Sequence, residues 1–184
     1  MFTNKNTPAD IVKMQLSDIS RVLIILKEVG LESWKYEDFK FEIENNNPLL
    51  LVVKINSSVI GFCIARLIII LGQQNGNYFA KSSNAYFPKL KTSGNCGEKF
   101  VHECEIYNIA IEQEFQNRGV GSKLLSQIIL VASRANTGSI WLEVRSSNRQ
   151  AISFYEKNSF QKMYERKNFY SKPLESAIVM KMNL

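Results

Sequence analysis

Apolar and polar positions in the first half of the chain predict one short strand, two helices and a hairpin. Residues 11–16 alternate between apolar and polar, which is the period of a strand. Apolar residues then recur at helical spacing up to Gly30, which ends that helix, and Ser17 or Asp18 is placed to cap its start. The predicted elements are a strand at 11–16, helices at 19–29 and 36–44, and hairpin strands at 49–55 and 59–70.

The second half contains the clearest helix pattern of the chain. Within residues 118–134, Val120, Leu124, Ile128 and Val131 form one apolar stripe. The other predicted elements are strands at 101–111, 139–145, 163–170 and 177–182, and a helix that Asn148 caps. Helices and strands in this order predict an α+β fold around one mixed sheet.

Residues 72–99 separate two predicted strands and differ from the rest of the chain in composition. They are rich in Gly, Asn, Ser and Lys, and Glu98 is their only acid. Loops of this length inside a domain usually carry function or lack order. We therefore predict a surface insertion at 72–99 within a single domain spanning 1–184, as the length of 184 residues favours.

The composition predicts a soluble, cytoplasmic protein, whose basic charge fits either an anionic partner or simply a solvated surface rich in lysine. The formal net charge of +6 favours nucleic acid, ribosomes, membrane surfaces or phosphorylated cofactors. No nucleic-acid-binding motif appears, so no direct contact with nucleic acid is expected. Residues 1–10 lack an apolar signal segment, and the longest apolar run, 67–71, is too short to span a bilayer, so no membrane partner is expected.

Three cysteines and one histidine raise the question of a metal or thiol site. Together, Cys63, Cys96, His102 and Cys104 have the number of ligands that structural zinc needs. No Cys-x-x-Cys pair occurs, and His102 and Cys104 lie on a predicted strand. We therefore expect no metal and no cysteine nucleophile.

The densest chemical signal lies where the long helix begins. The sequence Gln-Asn-Arg-Gly-Val-Gly at 116–121 follows a strand and leads directly into the helix. Glycines let the backbone approach a ligand closely, and the amides at a helix start face an anion. A P-loop would need glycine at Gln116 and lysine at Ser122, and the Rossmann fingerprint would need a third glycine, which this segment lacks. The pattern therefore predicts a diphosphate site of another kind.

Glu143 lies in the middle of an otherwise apolar strand. Ile140, Leu142 and Val144 share one face, so Trp141 and Glu143 point to the other. A carboxylate in a core strand is costly unless it is paired or functional. The residues alone leave open whether Glu143 is salt-bridged, exposed at an edge or a general base.

Four blocks in a fixed order resemble the GNAT acetyltransferases. They are residues 108–111, 116–121, 141–144 and 148–160. The resemblance is strong over 101–170 and is closest to the bacterial RimI-type ribosomal-protein alanine N-acetyltransferases. It implies a mixed, mostly antiparallel sheet of about seven strands with a central splay, flanked by about four helices. It also implies acetyl-CoA as cosubstrate.

The same resemblance assigns roles to individual residues. It makes Glu143 the general base and Tyr155 the general acid, with a backbone amide near Ile111 as the oxyanion donor. The implied acceptor is the N-terminal α-amine of a protein, such as a small-subunit ribosomal protein. Cofactor contacts are implied for Ile109, Ala110 and Ile111 beside the pantetheine, for Asn117, Arg118, Gly119, Val120, Gly121 and Ser122 around the pyrophosphate, and for Asn148.

The sequence departs from the family pattern at two turns. Ser159 stands where the family has glycine, so we expect that turn to be made differently, and Glu175 is followed by Ser176 instead of a second acid. Acetylation of a lysine side chain or a small amine is the alternative within the class. A non-catalytic acyl-CoA-binding or ribosome-binding module is the alternative outside it, and thioester turnover with a peptide amine would separate the two classes.

Overall fold

The computed structural model describes residues 8–31, 34–74, 77–81 and 101–184. The strands are β1 (Asp10–Lys13), β2 (Leu50–Ile55), β3 (Ser58–Gln74), β4 (Asn77–Lys81), β5 (Val101–Ile111), β6 (Thr137–Arg145), β7 (Gln161–Ser171) and β8 (Leu174–Asn183). The α-helices are α1 (Ile19–Glu28), α2 (Tyr36–Glu44), α3 (Val120–Arg134) and α4 (Arg149–Lys157). The α+β prediction is confirmed, and β4 is the strand that the pattern missed. None of the helices within these ranges is long and apolar enough to cross a membrane.

Strand pairing confirms a mixed, mostly antiparallel sheet. The order of neighbours is β1-β2-β3-β5-β6-β8-β7, and β4 pairs with β3 outside this order. β5 and β6 are parallel, and α3 supplies the crossover that parallel neighbours require. The pairs β1–β2, β2–β3, β3–β4, β6–β8 and β7–β8 are antiparallel. The register of β5 against β6 runs from His102↔Thr137 to Ile106↔Leu142, and the splay predicted beyond it stays a prediction.

The chain divides into two compact units, Met1–Arg66 with Asn108–Val131 and Leu67–Tyr107 with Ala132–Leu184. In the first unit, α1, α2 and the start of α3 each bury one apolar face. The fully buried side chains include Ile19, Val22 and Ile25 of α1, Phe39 of α2, Leu124, Leu125 and Ile128 of α3, and Val52, Phe62 and Ile64 of the strands. Each such side chain stabilises the unit by about 1.5–3 kcal/mol.

In the second unit β6 is the inner strand, with β5 on one side and β8 on the other. Its buried apolar side chains, Ile140, Leu142 and Val144, share one face, as the alternation predicts. Ala177, Val179 and Met180 of β8 and Ile152 of α4 are buried as well. β7 ends the order of strands, and its residues are exposed apart from the half-buried Tyr170. An inner strand held from both sides gives its outward side chains fixed positions.

β1 is shorter than its alternation predicts. It ends at Lys13 because Leu16–Asp18 forms a 3-10 turn, in which Asp18 Oδ2 accepts a 2.9 Å hydrogen bond from the Gln15 amide. The Asp18 side chain makes no capping hydrogen bond to α1, although the sequence placed it as a candidate cap. The carboxylate is buried and pairs with Lys54 Nζ at 2.7 Å. An ion pair with a residue distant in sequence therefore takes the place of the predicted cap on α1.

The start of the predicted insertion is regular β-structure. β3 continues to Gln74 and pairs with β4, so part of residues 72–99 forms a hairpin. Residues 75–76 and 82–100 lie outside the described residues. The surface insertion at 72–99 and the single domain over 1–184 stay predictions.

Candidate active site

The loop that leads into α3 has two residues with a left-handed backbone. Asn117 has φ 58° and Gly119 has φ 75°, both in the left-handed region. Residues Asn117, Arg118 and Gly119 are exposed. A Cβ built on Gly119 would meet no atom within 4 Å, so the space beside the backbone there is open. The sequence pointed to the glycine, but the left-handed asparagine was not predicted, although asparagine visits this region more readily than most residues.

The first turn of α3 contains backbone amides that have no acceptor within the helix. The Lys123 amide donates to the Gly119 carbonyl at 3.0 Å, the first i to i−4 bond of the helix. The amides of Val120, Gly121 and Ser122 precede it, so the helix contains no acceptor for them. The Arg118 guanidinium lies 5.6 Å from the Phe115 ring centroid, which adds a positive charge near the positive end of the helix dipole. Amides, a cation and open space together fit a diphosphate.

The end of β5 lies unusually close to Gly61 of β3. A Cβ at position 61 would lie 2.7 Å from the Ala110 carbonyl oxygen and would overlap Ile111 Cδ1. Only glycine therefore allows the backbone at 110–111 to approach β3 this closely. Ala110 and Ile111 are buried and Ile109 is half-buried. An isolated glycine in an apolar strand indicates such an approach, so this contact had a signal in the sequence.

Two backbone groups at the end of β5 already have hydrogen-bond partners. The Glu112 amide donates to the Ile60 carbonyl at 2.9 Å, and the Ile111 carbonyl accepts a 2.8 Å bond from Gln116 Nε2. An oxyanion donor near Ile111 must therefore be an amide other than that of Glu112, and it stays a prediction. The Glu112 carboxylate is buried and pairs with Arg21 at 2.5 Å. Burial raises the pKa of Glu112, and the Arg21 charge opposes that shift.

Glu143 lies on the outward face of β6 in the second unit. Ile140, Leu142 and Val144 are buried, whereas 23% of the Glu143 side chain is exposed, so the predicted alternation is confirmed. Glu143 Oε1 accepts a hydrogen bond from Arg166 Nη1 of β7. Of the alternatives that the sequence left open for Glu143, the salt bridge is therefore present. The Glu143 carboxylate remains partly exposed, and its role as general base stays a prediction.

Tyr170, Arg145 and Glu175 surround the same end of β6. The Arg145 guanidinium lies 4.1 Å from the Tyr170 ring centroid, and Nη1 donates to Glu175 Oε2 at 3.2 Å. Burial, and then the negative charge of Glu143, raise the pKa of Tyr170. Glu175 Oε1 also accepts from the Ser147 amide at 2.6 Å and from Ser146 Oγ at 3.1 Å. This network joins the β7–β8 hairpin to the segment before α4, and the sequence alone predicted none of it.

Glu175 makes the stability of the second unit depend on pH. Hydrogen bonds from Ser147, and to a smaller extent from Arg145 and Ser146, lower the pKa of Glu175 from 4.5 to about 2. A depressed carboxyl pKa gives stabilisation that is complete above the unfolded pKa and is lost as pH falls towards the folded one. We expect Glu175→Gln to be less stable than wild type at pH 7, with a gap that narrows between about pH 4.5 and 2.

Urea unfolding at several pH values measures this gap. The control is Glu156→Gln, which removes a half-exposed carboxylate paired with Lys162 at 3.0 Å. A gap for Glu175→Gln that stays constant down to the acid limit would contradict the role assigned to these hydrogen bonds.

α4 carries the other two predicted site residues of this unit. Asn148 caps the helix, with Oδ1 accepting from the Ala151 amide at 3.0 Å. Tyr155 is buried in the last turn, 5.5 Å from the Phe160 ring centroid. The cap confirms the predicted start of the helix. The cofactor contact of Asn148 and the acid role of Tyr155 stay predictions.

The turn after α4 is made in the glycine-like way, contrary to expectation. Ser159 itself adopts φ 70°. Its amide donates to the Glu156 carbonyl at 3.1 Å, and the Phe160 amide donates to the Tyr155 carbonyl at 3.0 Å. These two bonds form a Schellman motif, and Phe160 packs back on Tyr155 as that motif requires. The prediction of a different turn was therefore wrong.

A serine in the left-handed region predicts a simple stabilising substitution. Ser159→Gly removes the Cβ strain but gives the unfolded chain more freedom, so we expect a net gain of about 0.5–1 kcal/mol in the free energy of unfolding. Calorimetric Tm should rise by about 1–4 °C. Asn136→Gly is the matched control, because Asn136 has φ 54° and asparagine already tolerates that region. A lower Tm for Ser159→Gly would contradict the strain assigned to this position.

The cysteines of the described residues lie in the interior. Cys63 and Cys104 are buried. Burial and the charge of Glu105 raise the pKa of Cys104 to about 12. No group of three or more His, Cys, Asp or Glu side chains is placed to hold a metal in the part of the chain that the structure describes. Cys96, one of the four zinc ligands considered from the sequence, lies outside that part.

The family model described as acetyltransferase (GNAT) family matches residues 19–160. The [ribosomal protein bS18]-alanine N-acetyltransferase of Salmonella typhimurium is 38% identical over 130 residues, which is 59% of this chain and 84% of that protein. The Haemophilus influenzae protein of the same name is 27% identical over 175 residues, 92% of this chain and 95% of that protein.

The solved structures include the Escherichia coli ribosomal-protein-S18-alanine N-acetyltransferase. It covers 96% of this chain and 94% of its own at 21% identity, with a TM-score of 0.66. At that identity the likeness shows the fold, and it agrees with the sheet order and helices described above.

Proposed function

Because this chain belongs to the acetyltransferase (GNAT) family, we propose that it moves the acetyl group of acetyl-CoA to the N-terminal α-amine of a protein. Acetyl transfer follows from the family. The choice of acceptor rests on the relatives, which are named for the alanine of ribosomal protein bS18. An N-terminal alanine of a small-subunit ribosomal protein is therefore the proposed acceptor.

Acetyl-CoA supplies the acetyl group as a thioester. We assign its diphosphate to the amides of Val120, Gly121 and Ser122, with Asn117, Arg118 and Gly119 around it. The open space beside Gly119 and the exposed, left-handed loop support this assignment. The backbone of Ile109, Ala110 and Ile111 is assigned to the pantetheine arm, and Asn148 to a further contact.

The single observation that carries the catalytic part is Glu143, an accessible carboxylate on a rigid inner strand. Glu143 takes a proton from the acceptor ammonium. The amine electron pair then forms the bond to the acetyl carbon, and the carbon–sulfur bond breaks. Tyr155 protonates the leaving thiolate, and the second proton that leaves the nitrogen as the amide forms restores the tyrosine. The proton held by Glu143 passes to solvent, so one proton is released per turnover. A peptide α-amine has a pKa of about 7.7–8.0 against about 10.4 for lysine, so a carboxylate base favours the α-amine near neutral pH.

Mass spectrometry of peptide products tests the proposal. The substrate is a peptide with a free N-terminal alanine and one internal lysine, and its control is the same peptide with a formylated N-terminus. We expect one acetyl group on the alanine of the first peptide and none on the second. Acetylation of lysine in both would move the enzyme to the lysine class, and bound acetyl-CoA without product would identify a non-catalytic module.

A further inference from the structure

The carboxylate assigned as the base already holds a cation from its own chain. Arg166 Nη1 donates to Glu143 Oε1, and 49% of the Arg166 side chain is exposed. Arg166 lies on β7, the last strand in the sheet order, and Glu143 lies on the inner strand β6. The guanidinium therefore reaches Glu143 from the outer part of the second unit.

The local backbone of β7 prepares this contact. The β7–β8 register shifts between Arg166 and Tyr170, and Asn168 within that shift has φ 55°. The irregularity brings the Phe169 ring centroid to 4.2 Å from the Arg166 guanidinium carbon. A cation that contacts an aromatic face keeps a favourable position there even without its counter-ion. Arg166 thus makes two contacts, an ion pair with Glu143 and a cation–π contact with Phe169, and it can lose the ion pair while keeping the contact with Phe169.

A guanidinium on Glu143 cannot take part in acetyl transfer. Arginine keeps its proton under all conditions in which proteins fold, whereas an acceptor ammonium must give up a proton. If Glu143 accepted that proton while Arg166 stayed bound, the guanidinium would be left beside a neutral acid. The bound guanidinium therefore opposes proton transfer to Glu143, and the acceptor ammonium and Arg166 compete for one carboxylate.

We infer that Arg166 is an internal competitor of the acceptor, which occupies the place of the acceptor ammonium on Glu143 and yields it to an incoming cationic amine. The inference rests on the proposed function, because it takes Glu143 as the group that receives the acceptor. The ligand class is a protonated amine. A half-exposed ion pair is weak enough to be displaced, and its removal should tighten acceptor binding by up to about fivefold.

The KM for an alanine-starting peptide in Arg166→Gln tests the competition. We expect KM to fall about two- to fivefold, with no proportional change in kcat. Arg166→Lys should restore a KM close to that of wild type, because its ammonium again competes for Glu143. Lys167→Gln is the matched control, since it removes one positive charge from the neighbouring exposed position. A purely structural Arg166 would instead raise KM or lower kcat on removal.

Peptide affinity for the CoA-saturated protein gives a readout that does not depend on turnover. Calorimetry should show tighter peptide binding for Arg166→Gln than for wild type, and no such gain when Arg166→Gln is combined with Glu143→Gln. An unchanged or higher KM in Arg166→Gln overturns the inference. An equal gain in peptide affinity from Arg166→Gln with Glu143 present and with Glu143→Gln also overturns it. If wild type acetylates the peptide and Glu143→Gln does not, the proposed function holds whether or not Arg166 competes with the acceptor.

Discussion

Glu143→Gln is expected to lower kcat for peptide acetylation by about 10²–10⁴-fold, the usual contribution of a general base. Glutamine keeps the shape and the outward position on β6 but cannot accept the ammonium proton. The fold should survive, because Arg166 is half-exposed and still contacts Phe169. Steady-state rates with saturating acetyl-CoA measure the effect.

The control for that experiment is Glu165→Gln on β7, where the carboxylate is exposed. It removes the same charge from a nearby strand and should leave kcat within about twofold of wild type. Acetyl-CoA affinity should be unchanged in both variants. An undiminished kcat in Glu143→Gln would remove Glu143 from the mechanism and leave it as a structural ion pair.

Gly61→Ala should weaken acetyl-CoA binding by about tenfold or more and lower the free energy of unfolding by about 1–3 kcal/mol. The new methyl group would lie 2.7 Å from the Ala110 carbonyl oxygen, a distance that forces backbone to move. The displaced segment is the end of β5, which is assigned to the pantetheine arm. Calorimetric titration with acetyl-CoA and urea unfolding give the two quantities.

Gly30→Ala separates the local effect from general instability. Gly30 has φ 71°, and a Cβ there meets no atom within 4 Å, so alanine adds backbone strain without a clash. The free energy of unfolding should fall by about 1 kcal/mol while acetyl-CoA affinity stays at the wild-type value. Equal losses of affinity in both variants would show that Gly61 acts only through stability.

The sequence predicted the parts of the candidate site that depend on local pattern. The glycine-rich start of α3 follows from residues within one or two helical turns. The outward position of Glu143 follows from the alternation of residues along one strand. α2 was predicted with its observed bounds, Tyr36–Glu44, because its apolar spacing and the break that follows are both local.

Contacts between distant elements were not predictable in the same way. Arg166 of β7 meets Glu143 of β6 across β8, and this contact depends on the pairing of three strands that no periodicity reveals. Asp18 binds Lys54 instead of capping α1, since tertiary pairing outweighs a local preference. Ser159 keeps a left-handed turn because the packing of Phe160 on Tyr155 fixes it.

Calorimetric titration of the folded protein with acetyl-CoA tests the central claim most directly. If amides at the start of α3 hold the cofactor diphosphate, one acetyl-CoA should bind saturably per chain. Inorganic pyrophosphate should compete with acetyl-CoA, and the affinity for acetyl-CoA should weaken as the salt concentration rises. A chain with the circular dichroism of a folded α+β protein that gives no saturable binding to acetyl-CoA would contradict the account.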